Sequence, residues 1–440
     1  MTIELSSRRF TDQADIVPVS GVEEIRNEGI VNTLAGNDTI TGSGFFGLVN
    51  YFTITTGNGN DSITGNSITG NGDRGGTGLY SVGNINSGDG NDIITGTNTS
   101  GGGYGIFNGL DDNREDSGTI DTGDGNDIIT GISTSLDTVG FGISGIYNLG
   151  TLNTSEGNDI ITGIGEASDY GSGIFNSLGT INTGDGNDTL RGSGFSGLVN
   201  YFTITTGNGN DLITGNGDGG GTGIYSLGNI NSGGGDDTIT GTNTSGGGYG
   251  IFNGLGNQPD SSTIDTGDGN DIITGIAAFG IFNTSIINTG NGADSISCDA
   301  SLNDSTGYGF YNANTINTGD GNDKITEISG HSIFNLGIIN TGNNADSIIA
   351  DGGFEGSGSV FLENGKDYLK GFGSGNFNGG NGKDTLELTS GSYTVRISGT
   401  AVNFTKGSII MNTSEFEKLI AGSTTYDFSS LRDGQRISVA

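Results

Sequence analysis

Thr-Gly-Asp-Gly-Asn-Asp-Ile-Ile-Thr-Gly, residues 122–131, is the stretch from which the fold of this chain follows. The same ten residues recur at 266–275, and weaker copies extend from residue 34 to residue 386. Each copy ends in an aspartate that is followed two positions later by a branched apolar residue. A unit repeated at this scale predicts one stacked array rather than several globular domains. The turn aspartates of the fourteen copies are Asp38, Asp61, Asp92, Asp127, Asp159, Asp188, Asp211, Asp237, Asp271, Asp294, Asp323, Asp346, Asp367 and Asp384.

The longer repeat reads Gly-Ile-Phe-Asn-x-x-Gly-x-Ile-Asn-Thr-Gly-Asp-Gly-Asn-Asp-x-Ile-Thr-Gly, and residues 173–192 are a good instance. It holds three short segments in which apolar and polar residues alternate, which is typical of β-strands. The recurrent minimum spacing between aspartates is 23 residues, enough for three strands. We therefore predict an all-β fold, a right-handed parallel β-helix (a β-solenoid, β-roll-like) with about 14 coils and terminal caps. One asparagine per coil is expected to form an internal column: Asn50, Asn108, Asn148, Asn176, Asn200, Asn253, Asn283, Asn312 and Asn335.

Composition narrows the functional class. The 440 residues include 90 Gly without a three-residue period, which excludes collagen. The formal net charge of −35 disfavours nucleic acid and anionic membranes as partners and favours cations. The single cysteine, Cys298, excludes an internal disulfide framework, and we interpret it as a small substitute for the closing glycine of a repeat. No apolar run approaches the roughly 20 residues of a membrane span.

The repeats divide the chain into three parts. We predict an N-terminal cap at 1–30, Gly/Asp-rich β-solenoid repeats at 31–388 and a C-terminal β cap at 389–440. Residues 15–25 are expected to form an extended strand interrupted by Pro18, and residues 414–422 a short helix or a strand. Residues 97–104 and 110–118 are expected to be loops that project from the solenoid.

The repeated turn has the chemistry of a cation site. Its glycines can adopt positive φ and turn carbonyl groups toward one point, where the aspartate adds a carboxylate. Ca²⁺ binds six to eight such oxygens, so two stacked turns could share an ion. Ionised aspartates about 5 Å apart would repel by roughly 0.8 kcal/mol in water and about 3 kcal/mol at an effective dielectric of 20. A column of them therefore requires cations between its members, unless the aspartates splay apart.

This turn resembles the RTX, or hemolysin-type calcium-binding, nonapeptide Gly-Gly-x-Gly-x-Asp-x-Leu/Ile-x. Residues 379–386 fit the pattern fully, and the resemblance covers about residues 31–388. Ten turns keep Gly-x-Gly-x-Asp, whereas those of Asp38, Asp159, Asp346 and Asp367 each lack one glycine. The resemblance implies Ca²⁺ as the bound cofactor. The ligands it implies are Gly57, Gly59, Asp61, Gly88, Gly90, Asp92, Gly123, Gly125, Asp127, Asp159, Gly184, Gly186, Asp188, Gly207, Gly209, Asp211, Gly233, Gly235, Asp237, Gly267, Gly269, Asp271, Gly290, Gly292, Asp294, Gly319, Gly321, Asp323, Gly380, Gly382 and Asp384.

The chain departs from the family in two respects. Thr or Ser, as at Thr122 and Ser87, precedes the turn where the family has Gly, and each coil carries one acidic turn rather than two. These departures indicate either a calcium column on one side of the solenoid or the loss of calcium binding in some coils. In the alternative interpretation each Gly-Asn-Asp is a tight turn that binds no metal.

The resemblance also implies export. The family is typically secreted by a type I system through an uncleaved C-terminal signal, and residues 436–440 are the candidate signal here. The first ten residues contain no apolar segment typical of a cleaved signal peptide, which agrees with this. We predict an extracellular or cell-surface calcium-binding protein with a structural or adhesive role and with cell-surface or matrix components as partners.

Two alternatives stay open. Parallel β-helices include lyases, hydrolases and epimerases of acidic polysaccharides, but those reactions need clustered basic residues. Between residues 31 and 350 only Arg74, Arg114, Arg191, Lys324 and His331 are basic, and they do not recur together. The second alternative is an ice- or surface-binding solenoid that presents a threonine column: Thr64, Thr95, Thr130, Thr162, Thr214, Thr240 and Thr274.

Overall fold

The computed structural model describes residues 2–18, 23–68, 76–99, 101–109, 118–134, 143–165, 171–245, 247–254, 262–300, 308–399 and 401–440. Helical structure in these ranges is limited to two 3₁₀ turns, Leu5–Ser7 and Phe428–Ser430. The chain forms two compact units. Met1–Gly234 and Thr238–Gly248 make up the first unit, and Gly235–Asp237 and Tyr249–Ala440 make up the second. Each unit is a parallel β-solenoid.

One coil shows how the repeat folds. Its three strands are Ser144–Asn148, Thr151–Asn153 and Ile160–Gly165, and the acidic turn lies between the second and the third. Each strand pairs in parallel with the equivalent strand of the next coil, so that Ile146 lies beside Ile174. The three strands of a coil thus belong to three separate parallel sheets, here called sheet 1, sheet 2 and sheet 3 in the order in which the chain enters them.

In the first unit all three sheets are parallel within the described residues. The strands of sheet 1 are Thr2–Glu4, Glu24–Asn27, Leu48–Asn50, Leu79–Ser81, Tyr104–Asn108, Ser144–Asn148, Ser172–Asn176, Ser196–Asn200 and Ile224–Ser226. Those of sheet 2 are Ile30–Asn32, Thr53–Thr55, Asn84–Asn86, Thr119–Asp121, Thr151–Asn153, Thr180–Asn182, Thr203–Thr205 and Asn229–Asn231. Those of sheet 3 are Ile16–Val17, Thr39–Gly44, Ser62–Ser67, Ile93–Asn98, Ile128–Ser133, Ile160–Gly165, Thr189–Gly194, Leu212–Gly217 and Thr238–Asn243.

The second unit repeats this pattern and ends in antiparallel strands. Sheet 1 contains Tyr249–Asn253, Phe279–Asn283, Phe310–Asn312, Ile333–Asn335 and Phe354–Glu355. Sheet 2 contains Thr263–Asp265, Ile286–Asn288, Thr315–Asn317, Ile338–Asn340, Ser359–Phe361, Gly375–Asn378 and Ile409–Ser414, followed by the antiparallel strands Ala401–Lys406, Gly391–Ser398 and Arg436–Val439. Sheet 3 contains Ile272–Ile276, Ser295–Asp299, Lys324–Glu327, Ser347–Ala350, Tyr368–Lys370, Thr385–Leu388 and Lys418–Ala421, followed by the antiparallel Thr424–Asp427. Asn364–Gly365 and Asn381–Gly382 form a further two-stranded sheet.

The core is a set of apolar columns. Every second residue of a strand points inward, and Ile129, Ile146 and Leu152 are fully buried. Sheets 1 and 3 approach each other closely at paired glycines. A Cβ added to Gly163 would lie 2.2 Å from the carbonyl oxygen of Gly173, so the backbone leaves no room for a side chain there.

The predicted asparagine column is confirmed. In the first unit Asn108 donates from Nδ2 to Oδ1 of Asn148, and the chain of bonds continues to Asn176 and Asn200, each at 2.9 Å. Each Nδ2 also donates to a backbone carbonyl of the next coil. The second unit has the same column, which runs through Asn253, Asn283, Asn312 and Asn335. These bonds satisfy the buried Nδ2 groups of the column and fix the register of neighbouring coils.

The all-β parallel β-helix is confirmed, and some local predictions are refined. The parallel ladder includes Thr2–Glu4 and Glu24–Asn27, which precede residue 31, where the repeat becomes recognisable in the sequence. The predicted strand at 15–25 is two strands, Ile16–Val17 and Glu24–Asn27, and residues 19–22 lie outside the described part. Residues 418–421 are a strand rather than a helix. The predicted loop at 97–104 is shorter than expected, because Thr97 and Asn98 end one strand and Tyr104 begins the next. Residue 100 and residues 110–117 of the second predicted loop lie outside the described part.

Candidate metal centre

The backbone of the acidic turn requires glycine at two positions. In the turn that ends at Asp188, Gly184 and Gly186 have φ of 88° and 151°. A Cβ on Gly186 would lie 1.3 Å from the carbonyl oxygen of Gly157 in the preceding coil. The carbonyl groups of these glycines therefore point at the glycine of the following coil. The structure places the predicted glycine ligands in the turn, stacked on each other along the coils.

The four turns that lack a glycine keep a left-handed φ at the substituted position. The residues that replace the glycine have left-handed φ values: 79° at Leu34, 62° at Ser155, 85° at Asn344 and 63° at Glu363. Such values are uncommon for residues with a Cβ and raise the energy of the backbone by about 1–3 kcal/mol each. The stacking of the coils therefore imposes the turn even where the sequence does not favour it.

The turn aspartates are buried, each at most 2% exposed, and they form a hydrogen-bonded ladder. The Oδ1 atom of each aspartate accepts the backbone N–H of the aspartate one coil earlier. In the first unit the ladder joins Asp38, Asp61, Asp92, Asp127, Asp159, Asp188 and Asp211, at 2.7 to 2.8 Å. In the second unit it joins Asp237, Asp271, Asp294, Asp323, Asp346, Asp367 and Asp384, at 2.8 to 2.9 Å.

The second carboxylate oxygen has no such donor. At Asp38 the hydroxyl of Thr33 donates to Oδ2. In eleven other aspartates Oδ2 is buried and accepts no hydrogen bond within the described structure: Asp61, Asp92, Asp127, Asp159, Asp188, Asp271, Asp294, Asp323, Asp346, Asp367 and Asp384. An ionised carboxylate oxygen that is buried without a donor is costly, so it requires a proton or a cation.

The neighbouring threonine hydroxyls do not fill this need. The hydroxyl of Thr183 donates to the carbonyl oxygen of Thr206 at 3.2 Å, and that of Thr154 donates to Thr183 at 3.1 Å. A hydroxyl has one proton, and at Thr154 and Thr183 that proton is directed along the column. The hydroxyl of Thr122 donates to no backbone carbonyl in the described structure, and it lowers the pKa of the neighbouring Asp127. The Thr oxygen remains an acceptor, so it could receive a proton from a protonated aspartate or bind a cation.

Burial raises the pKa of the column aspartates. The pKa rises to about 7 at Asp127, Asp188, Asp346 and Asp367, and to about 6 at Asp92, Asp159, Asp271 and Asp294. Loss of hydration is the largest cause, and the charges of neighbouring aspartates add to it for most of these groups. The Thr or Ser hydroxyl of the same turn and the backbone N–H of the neighbouring coil oppose the rise for most of them. Without a cation these eight aspartates are therefore mostly protonated in mildly acidic solution, and burial opposes their ionisation at higher pH.

The described residues contain no ready-made cluster of metal ligands. Among the described residues no three His, Cys, Asp or Glu side chains converge on one point. Each coil instead contributes one carboxylate oxygen, and two successive coils contribute two, with hydroxyl and backbone oxygens nearby. A hard cation could be held between successive aspartates of the ladder. Backbone carbonyls or water would have to supply its other oxygen ligands.

Sequence reasoning missed two members of the ladder. The backbone N–H of Asp15 donates to Oδ1 of Asp38 at 2.7 Å, and the N–H of Asp384 donates to Oε2 of Glu417 at 2.7 Å. Both acids are followed two positions later by an apolar residue of sheet 3, which is the signature of the repeat. They were overlooked because no Gly-x-Gly precedes either of them.

A second buried acid lies outside the ladder. Glu327 occupies the position of a closing glycine in sheet 3, next to Cys298, which pairs with Gly275 as predicted. Its Oε1 atom accepts from the hydroxyl of Ser329, which also contacts Nδ1 of His331 at 2.9 Å. The Ser329 hydroxyl also accepts the N–H of Ala300 at 3.1 Å, so the serine is held by three partners and has the contacts of a structural residue.

Comparisons with known proteins add little to this geometry. No family model matches the chain, and no curated protein matches it in sequence. Among solved structures, the chain is similar to a hyperactive, Ca²⁺-dependent, β-helical antifreeze protein from an Antarctic bacterium, with 16% identity over 96% of both chains and a TM-score of 0.42. A similarity of this size transfers no property from that protein. Within the described residues no helix is long and apolar enough to cross a membrane.

Proposed function

We propose that this chain is a calcium-stabilised structural solenoid in which Ca²⁺ ions bind along the ladder of buried aspartates. The observation that carries the proposal is the set of Oδ2 atoms that are buried and accept no hydrogen bond, one per coil over most of the ladder. Their regular recurrence distinguishes them from an isolated defect, because a coil that required only a tight turn could have used asparagine at this position.

The location of the carboxylates changes how the ions would act. The sequence suggested cations between turns that repel each other, whereas the aspartates lie inside the coils. A bound Ca²⁺ would neutralise two successive carboxylates. Its positive charge would compensate the negative charge that burial disfavours. Because both coils must be in place to form one site, ion binding and coil stacking are coupled, and the ion stabilises the folded chain by mass action.

This coupling supports the proposed biology. A solenoid that depends on Ca²⁺ would be weakly folded in the low calcium of a cytosol and folded outside the cell. Together with the acidic surface and the repeat pattern, this favours an exported RTX-like protein with an extracellular structural or adhesive role. The C-terminal residues proposed as an export signal form the strand Arg436–Val439 in the folded chain, so export would have to precede folding of the cap.

The test is a calcium titration of chelator-treated protein at pH 7.5, followed by far-UV circular dichroism and calorimetry. We expect a cooperative gain of β signal, several ions bound per chain and a rise in the melting temperature. The matched variants are Asp127→Asn, which changes a buried ladder residue, and Asp124→Asn, which changes an exposed residue of the same turn. Only the first should reduce ion uptake. A fully folded chelated protein that takes up no calcium would overturn the proposal.

A further inference from the structure

The outward face of sheet 1 in the first unit carries a row of aromatic side chains. Tyr80, Phe107, Tyr147 and Phe175 occupy the same position on four successive strands. The centroids of neighbouring rings are 4.9, 5.6 and 5.2 Å apart, and the planes of neighbouring rings lie within 20° of each other. Rings in full face-to-face contact would be closer, at about 3.5–4.0 Å between carbon atoms, so these rings cover each other's faces only in part.

Tyrosines from the turns after sheet 1 continue this row where a strand carries valine instead. The strand after Phe175 has Val199 at the row position. The ring of Tyr201 fills this gap, because it lies 5.2 Å from the ring of Phe175 and 6.2 Å from that of Tyr225 on the following strand. The row extends over seven successive strands, or about 29 Å at 4.8 Å per strand. We call its members the aromatic strip: Tyr51, Tyr80, Phe107, Tyr147, Phe175, Tyr201 and Tyr225.

An exposed pair of aromatic residues lies near each end of the strip. Tyr51 and Phe52 are 41% and 53% exposed, and Tyr201 and Phe202 are 41% and 49% exposed. The strands that these two pairs follow are five coils apart in sheet 1. Side chains this exposed bury little apolar area, so the core does not require them. Clustered exposed apolar residues instead mark interaction surfaces.

The strip is uncharged although the chain is strongly acidic. None of the seven sheet-1 strands along the strip contains a charged residue, whereas the whole chain has a formal net charge of −35. The rest of the chain would repel an anion, and the strip has no acid with which to bind a cation. The occupant that fits this surface is therefore uncharged.

The second unit has a shorter row of the same kind. Phe252, Phe282, Tyr311 and Phe334 stack with centroids 5.2, 4.3 and 5.4 Å apart. The next strand places Glu355 at the row position, and no exposed aromatic pair adjoins this row among the described residues. The long, uncharged strip with exposed aromatic pairs is thus a feature of the first unit.

We propose that the aromatic strip binds a neutral, extended β-1,4-linked polysaccharide. The sugar rings of such a chain present C–H faces, which pack against aromatic rings, and hydroxyl groups, which can bond to tyrosine hydroxyls. One sugar of an extended chain is close in length to one coil of the solenoid, so successive sugars can contact successive rings of the strip. The inference rests on the adhesive role proposed above and gives that role a partner.

The experiment measures how the calcium-loaded full chain binds to amorphous cellulose and to chitin, by depletion from solution. Wild type should bind at least one of them, and the double variant Tyr51→Ala/Tyr201→Ala should bind at least tenfold more weakly. Tyr201→Phe keeps the ring and should bind within threefold of wild type. Ile160→Ala removes an apolar side chain that is 40% exposed on sheet 3, and it should bind like wild type.

Two further measurements support the binding assay. The chain contains no tryptophan, so the soluble six-sugar fragment cellohexaose should change the tyrosine fluorescence of wild type and not that of the double variant. The melting temperature in Ca²⁺ shows whether each variant is folded.

The outcomes separate this inference from the calcium proposal. Equal binding of wild type and the double variant, or no binding of wild type to either polysaccharide, would overturn the inference and leave the calcium ladder standing. Tighter binding to phosphatidylcholine vesicles than to cellulose and chitin would overturn it in favour of a lipid surface. A wild-type dimer that the double variant fails to form would overturn it in favour of an interface between copies of the chain. A wild type that binds polysaccharide but takes up no calcium would overturn the calcium proposal alone.

Discussion

The calcium-free solenoid should lose stability as the pH rises, which is the opposite of ordinary acid denaturation. The pKa of Asp127 is about 7 in the folded chain, against a usual value of 3.8. Because the folded state holds the proton more tightly than the unfolded state, the stabilisation is fully present below about pH 4. It is lost as the pH rises through about 7.

The size of the effect follows from the shift. A difference of about 3.2 pKa units at 1.36 kcal/mol per unit gives about 4 kcal/mol for Asp127. Seven further aspartates of the ladder have a pKa of about 6 or 7. Each of them contributes a loss of the same sign, so the chelated chain should be much less stable at pH 7.5 than at pH 4.

Calorimetry between pH 4 and pH 7.5 at fixed ionic strength tests this. In chelator we expect the melting temperature to fall steadily with pH, and in Ca²⁺ we expect the fall to disappear. Asp127→Asn cannot ionise, so its chelated form should lose about 4 kcal/mol less over the same range, whereas Asp124→Asn should match wild type. A chelated protein whose melting temperature is constant or rises between pH 4 and pH 7.5 would refute the reasoning.

Three substitutions, two of them paired with a control substitution, test the scaffold by chemical denaturation. Asn148→Ala should cost about 3–5 kcal/mol, because it leaves an amide and a carbonyl of the next coil without partners; a cost below 1 kcal/mol would show that the asparagine column is dispensable. Ile94→Ala should cost about 2–5 kcal/mol, because the side chain of Ile94 is fully buried. The side chain of the adjacent Ile93 is 44% exposed, so Ile93→Ala should cost about 1 kcal/mol or less. Equal costs would contradict the prediction that Ile94 rather than Ile93 points inward. Gly163→Ala should destabilise strongly through its clash with backbone, whereas Gly102→Ala, with no atom within 4 Å, should be neutral; a neutral Gly163→Ala would contradict the close approach of sheets 1 and 3.

The sequence was sufficient to predict the coil. Alternation around Ile129 and Ile146 predicts strands, and the recurrence of Asn148 in equivalent coils predicts a column, because both depend on residues that repeat at a fixed spacing. The glycines of the turn were equally predictable, since two glycines at fixed positions in so many copies indicate positive φ, although the close approach of the preceding coil that also requires them was not. These features are local and periodic, and a single sequence records them directly.

The direction of the aspartate was not predictable. Asp124 and Asp127 are both acids of the same short turn, but one is exposed and the other is fully buried. The acid that points inward is selected by the backbone path through two positive-φ glycines. It is also selected by the N–H of the equivalent aspartate in the preceding coil, which donates to it. Asp15 and Glu417 were not predicted as members of the ladder for a related reason: strand pairing, rather than the turn motif, places them there.

The central claim is that calcium lies inside the coils, and X-ray diffraction from crystals grown in Ca²⁺ tests it most directly. We expect anomalous scattering peaks along the aspartate file, each about 2.4 Å from an Oδ2 atom such as that of Asp127. The contradicting result would be a map without anomalous peaks along the ladder, in which the same aspartates keep their hydrogen bonds to the preceding coil. The aspartates would then be protonated turn residues, and the solenoid would need no calcium.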